Sequence, residues 1–182
     1  RTGEFVQGVV YGSTARAERL CRMVRKVHEP VRGVAPDGRP YAANDPHLVA
    51  WVHHAEVDSF LRAYQRYGSD PLSPAEADRY VAEMAVVCER LGGEPPARSV
   101  AELRGYFTAM RPELRATREA RDTIRFLLAP PLPLVARAPY AILASASVTM
   151  LPRSVRRALW LPVLPTVEPL LVDLEDLEPG TG

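Results

Sequence analysis

The stretch Asp45-Pro46-His47-Leu48-Val49-Ala50-Trp51-Val52-His53-His54-Ala55-Glu56-Val57-Asp58-Ser59-Phe60-Leu61-Arg62-Ala63-Tyr64-Gln65-Arg66-Tyr67-Gly68 decides the fold class. Asp45 is a capping carboxylate, and Pro46 takes the first helical position, where its missing N–H costs nothing. No further Pro or Gly occurs until Gly68, which supplies the stop. Val49, Val52, Phe60 and Ala63 recur at helical spacing between those signals. The reading is one helix over 46–67.

The flanking sequence repeats the same grammar. Ser73-Pro74-Ala75-Glu76 is a capping box with Pro at N1, opening a helix to Leu91 before Gly92-Gly93. Ser99-Val100-Ala101-Glu102 is a second box, with a helix to about Met110. Upstream, Leu20, Val24, Val27 and Val31 mark one face of a helix from Ser13 or Thr14 to Val31, with Gly33 as its stop. Pro36-Asp37-Gly38-Arg39-Pro40 is a turn that can close a short hairpin. Further helices are expected near 118–128, 134–149 and 154–159. Most of the 18 prolines fall between these patterns, ending one helix or starting the next. The expected class is all-α: a single multi-helix domain over 1–165, with helices of modest length around one core, globin-like in part. An acidic tail over 166–182 carries Glu168, Asp173, Glu175, Asp176 and Glu178.

Composition narrows the function. With 182 residues, the chain is long enough for one sizeable core and short for two domains. A net charge of +1 provides no global field toward nucleic acid, and none is expected as a partner. The apolar run from Phe126 to Leu151 is broken by Pro130, Pro131, Pro133, Arg137 and Pro139, so it makes a poor transmembrane segment. Interior packing or peripheral membrane contact suits it better. Cys21 and Cys88 lie in apolar helical patterns and read as free buried thiols, which fits a reducing cytoplasm. They exclude a disulfide scaffold and a cysteine-only zinc site.

Few residues can carry chemistry. The four histidines are His28, His47, His53 and His54. His28 is flanked one turn away by Val24 and Val31, so it is either a core imidazole satisfied by a carbonyl or carboxylate, or a metal or haem ligand. Helical rotation puts His54 opposite Val49, Val52 and Ala63, predicting a solvated side chain, and puts His53 at the edge of the apolar face. Glu56 falls within the stripe of Val49, Val52, Phe60 and Ala63, where a carboxylate should be paired, shifted in pKa or part of a site. His53 and Glu56 have metal-ligand spacing, but a di-iron bundle brings two Glu-x-x-His motifs and this chain has none. The nucleophile elbow, the phosphate loop and the dinucleotide fingerprint are also missing. Arg115, Arg118, Arg121 and Arg125 read as a solvated face, or as receivers of anionic groups.

Several pieces of the chain resemble one family when taken in order. They are Ala17-Glu18-Arg19 with Val24-Arg25-Lys26-Val27-His28-Glu29-Pro30-Val31-Arg32-Gly33, then Gly38-Arg39-Pro40-Tyr41-Ala42-Ala43-Asn44-Asp45-Pro46 with Leu48-Val49-Ala50-Trp51-Val52-His53. Pro71-Leu72-Ser73, Asp78-Arg79-Tyr80, Glu83-Met84, Leu103-Arg104-Gly105-Tyr106-Phe107, Pro131-Leu132-Pro133 and Leu151-Pro152 follow. The ordered set covers most of the chain and is similar to the catalytic domain of MpaB-type oxygenases and rubber oxygenases (latex-clearing proteins).

The resemblance implies a helical protein that binds b-type haem through one proximal His and activates dioxygen. His28 matches the proximal His, and Thr2 looks like a Thr that shapes the distal side. The family's distal Arg would precede residue 1. Arg1, not the Lys of latex-clearing proteins, precedes Thr2. A distal Lys ligand is therefore not carried over. On this reading the protein is a haem-dependent oxygenase acting with dioxygen on a hydrophobic small molecule, with His53 and Glu56 as supporting residues. The alternatives are a helical binding domain for an apolar ligand, a non-haem metal protein using His53 and Glu56, and a partner-binding protein with an exposed apolar patch.

Overall fold

A computed structural model describes residues 2–35 and 37–161, and the side chain of Thr2 and the acidic tail lie outside the described residues. Among them are eight helices and one small hairpin. In order these are α1 (Thr2–Val10), α2 (Thr14–His28), β1 (Arg32–Val34), β2 (Pro40–Ala42), α3 (Pro46–Tyr67), α4 (Pro74–Leu91), α5 (Val100–Met110), α6 (Arg118–Leu128), α7 (Leu134–Thr149) and α8 (Arg153–Ala158). The all-α expectation holds. The helical domain carries two compact units, Arg1–Pro112 and Glu113–Gly182.

The caps form as their chemistry dictates. Asp45 accepts from the His47 N–H at 2.9 Å, with Pro46 at the start of α3. Ser73 and Glu76 close both halves of a capping box on α4. Gly92 ends α4 at φ 85°, a left-handed conformation that favours glycine. The second box is one-sided. Ser99 accepts from the Glu102 N–H at 3.2 Å, but the Glu102 carboxylate reaches the Arg98 N–H at 2.7 Å instead of the cap's own.

Two expectations are corrected, and one helix is added. α2 stops at His28 rather than Val31, because Pro30 lacks the N–H a further turn would use. Gly33 then lies in β1, where Arg32, Gly33 and Val34 pair antiparallel with Ala42, Tyr41 and Pro40. α1 carries no clear helix signal in the sequence, since Gly3 and Gly8 within it and Gly12 just beyond it lower helical propensity. Gly8 has a packing role instead. A Cβ there would stand 2.2 Å from Leu20 Cδ1, so the bare backbone lets α1 close against α2.

The core of the first unit is built by α3, α4 and α5. Val57 and Leu61 interlock with Ala77, Val81, Met84 and Leu103. Burying one such aliphatic side chain contributes about 1.5–3 kcal/mol. On α2 the buried face is Ala17, Leu20 and Cys21, continued by half-buried Val24 and His28, whereas Val27 is 57% exposed. Cys21 and Cys88 are buried and free, as read from the sequence. In the second unit, the Arg121 guanidinium donates to the Ala158 carbonyl at 3.2–3.3 Å and stacks 4.1 Å from the Trp160 ring centre. The Tyr140 hydroxyl donates to the Leu127 carbonyl, tying α7 back to α6. No described helix is long and apolar enough to cross a membrane.

Candidate functional site

The α1–α2 hairpin places the first candidate residues. Only Tyr11, Gly12 and Ser13 separate the two helices, which therefore run back along one another. Gly8 against Leu20 fixes their register. At about 1.5 Å per residue, Thr2 lies about 9 Å from Gly8 and His28 about 12 Å from Leu20, toward the same end of the hairpin. Two positions far apart in sequence thus lie toward the same end of this hairpin.

His28 extends the buried stripe of α2 to the helix terminus and is half-buried there. Its ring has no hydrogen-bond partner among the described residues. Its neighbours along the chain include the exposed apolar side chains Val27, at 57%, and Val31, at 45%, and two cations of the last turn, Arg25 and Lys26. If haem is bound, His28 is the residue that could ligate its iron, and Arg25 and Lys26 are the basic residues of the same helical turn. The Asn44 amide donates to the Arg25 carbonyl at 2.8 Å, tying the end of α2 to the loop before α3.

His53 and His54 differ from their sequence reading. The buried face of α3 is Val49, Ala50, His53, His54, Val57 and Leu61, rotated from the stripe of Val49, Val52, Phe60 and Ala63. Val52 is 61% and Phe60 44% exposed. The cause is tertiary: Gly93, without a side chain, comes against Val49 and Ala50, and Tyr106 of α5 stacks on the His54 ring at 3.8 Å. His54 is therefore not solvated but 1% exposed. Its Nδ1 lies 2.6 Å from the Ala50 carbonyl, and its Nε2 accepts from the Ala97 N–H at 3.0 Å. That pattern requires the neutral ring with its proton on Nδ1. Burial depresses its pKa, against a smaller upward effect of the bond to Ala50.

His53 is 5% exposed, and burial, with a smaller contribution from His54, depresses its pKa to about 4. It is a neutral core imidazole. Glu56 is half-buried, and burial raises its pKa, as an unpaired carboxyl near apolar surface should behave. Among the described residues no group of three or more His, Cys, Asp and Glu side chains is placed to hold a metal ion. His53 and Glu56 thus have no third such ligand beside them.

A groove of about 520 Å³ opens between α1, α3 and α4, within the usual range for small-molecule sites. α1 and its turn contribute Val6, Val10 and Tyr11, and α3 contributes Phe60, Leu61 and Tyr64. Leu72 and Tyr80 complete it, so no formal charge lines it. Its near end, at Val6, is one helical turn along α1 from Thr2. Glu56 lies one turn before Phe60 on α3, and its charge adds to burial in pushing Tyr80 up to about 12. Sequence reasoning missed this groove together with α1. The i, i+4 pair Val6 and Val10 was the available signal.

The model of a family described as ER-bound oxygenase mpaB/B'/rubber oxygenase, catalytic domain, matches residues 1–174. No curated protein and no solved structure matches the chain. With nearly its whole length matched, the chain belongs to the family of mpaB-type and rubber oxygenase catalytic domains.

Proposed function

We propose that the protein is a haem-dependent oxygenase in which His28 holds the iron and the α1–α3–α4 groove receives an apolar substrate. The carrying observation is His28 itself. It is the half-buried imidazole that continues an apolar helix face and has no hydrogen-bond partner among the described residues. His54 is excluded from that role because both ring nitrogens are engaged by backbone. His53 sits inside the core. Arg25 and Lys26, in the last turn of α2, would receive the propionates.

Haem, when bound, supplies the activation of dioxygen. The chain's own residues bind and orient. His28 would offer one ring nitrogen to the iron. By the family resemblance, Thr2 would help to shape the distal side of the haem. The apolar groove walls exclude water from a hydrocarbon substrate.

An absorption spectrum tests this. Wild-type protein supplied with haem is expected to show a Soret band that is lost in His28→Ala and kept in His53→Leu, with helical circular dichroism preserved in His28→Ala. A band retained in His28→Ala, or none in the wild type, overturns the assignment. A helical binding domain without redox chemistry is the second reading, favoured by a groove whose shape needs no haem. It expects no Soret band but uptake of a neutral apolar dye.

A further inference from the structure

Two cavities of the first unit meet at one side chain. Tyr11 lines the apolar groove, and it also lines a second cleft of about 300 Å³ with Gln7, Gly8, Gly12 and Arg16. The groove offers aliphatic and aromatic walls, whereas the cleft offers an amide, a phenol and a guanidinium. Arg16 is the one charged residue lining either of them. Its side chain lies over bare backbone: an added Cβ would stand 3.4 Å from its Nε at Gly8 and 3.2 Å from its Cδ at Gly12. Among the described residues the guanidinium has no ion-pair or hydrogen-bond partner.

From this the geometry points to one ligand spanning both cavities: a long-chain carboxylate, its hydrocarbon chain on Val6, Val10 and Phe60 and its acid group on Arg16. The planar guanidinium can donate two parallel hydrogen bonds to a carboxylate, and the Gln7 amide and Tyr11 phenol are further donors lining the same cleft. With no carboxylate of the protein lining either cavity, nothing there repels the head group. An alcohol of the same length fills the groove but makes only neutral hydrogen bonds in the cleft. An amine sets like charge against Arg16. Tyr11, shared by the two cavities, is where chain gives way to head group. The inference rests on the groove being the substrate site, as proposed above, and gives the apolar substrate an acidic end; it does not pass through haem.

The test is displacement of Nile red from the full chain, without haem, by decanoate, 1-decanol and decylamine. Decanoate is expected to displace the dye at a concentration about tenfold below decanol, the ratio that one charge-assisted hydrogen bond produces. Added salt should shrink that advantage, because the guanidinium is exposed. Arg16→Gln should weaken decanoate about tenfold and leave decanol and Nile red unchanged. Phe60→Ala, which trims the groove wall, should weaken decanoate and decanol alike, about fivefold. Equal competition by decanol, or undiminished decanoate binding in Arg16→Gln, overturns the inference. Decanoate binding unaffected by Phe60→Ala also overturns it, confining the acid to the cleft alone. Tightest binding by decylamine, or no displacement by any of the three, overturns it as well. Because the assay contains no haem, its failure leaves the Soret experiment untouched, and a missing Soret band leaves this assay standing.

Discussion

Lowering the pH should destabilise the first unit through His53. The ring is 5% exposed, and its pKa falls from 6.5 to about 4 on folding. A base depressed in this way is neutral in the folded state, while the unfolded chain binds the proton first. Its stabilising contribution is complete above the unfolded value of 6.5 and is lost as pH falls from there toward 4. Between about pH 7.5 and about pH 5, the proton linkage amounts to about 2 kcal/mol. At an m-value of about 2 kcal/mol per molar urea, the midpoint should move down by about 1 M. Trp51, on the same helix and edge-on to Phe107 at 5.8 Å, is a suitable fluorescence reporter in a Trp160→Phe background. His53→Leu removes the titrating group and should flatten this acid limb, leaving the smaller same-sign contribution of His54 and the carboxylates common to both proteins. Parallel loss of stability in wild type and His53→Leu would refute the assignment of a buried neutral imidazole.

Other outcomes follow from packing. His54→Ala should cost about 3–5 kcal/mol in urea unfolding, since it opens an aromatic-sized cavity under Tyr106 and strands the Ala97 N–H. Gly8→Ala should destabilise by about 1–3 kcal/mol, because its Cβ would press on Leu20 Cδ1, and Gly8→Ala with Leu20→Ala should recover part of that in a double-mutant cycle. Ser73→Ala should cost about 1 kcal/mol by removing the cap of α4, measurable by thermal unfolding.

Much of the fold was legible because its signals are local. Asp45-Pro46 and Gly68 delimit α3, and Ser73-Pro74 and Gly92 delimit α4, because capping hydrogen bonds and the absent proline N–H act within a few residues. The end of α2 was misplaced at Val31, because the apolar spacing runs past Pro30, where the helix has already stopped. α1 lacked such marks. Its glycines lower helical propensity locally, and Gly8 is explained by Leu20, twelve positions away.

The site divides along the same line. His28, at the end of an apolar helix face, and the odd position of Glu56 could be singled out from the sequence, because a polar group among apolar neighbours is visible in helical periodicity. Periodicity defines a face only to within a residue or so of rotation, and on α3 that rotation exchanged the fates of Val52 and His54. Gly93 and Tyr106, from outside α3, decided it by close approach and ring stacking. The sequence by itself determined where the helices begin and end and which polar residues needed explaining. Only the tertiary structure decided which imidazole was buried, which was left accessible, and where the groove lies. Those outcomes depend on packing between segments distant in the chain, and no local pattern encodes it.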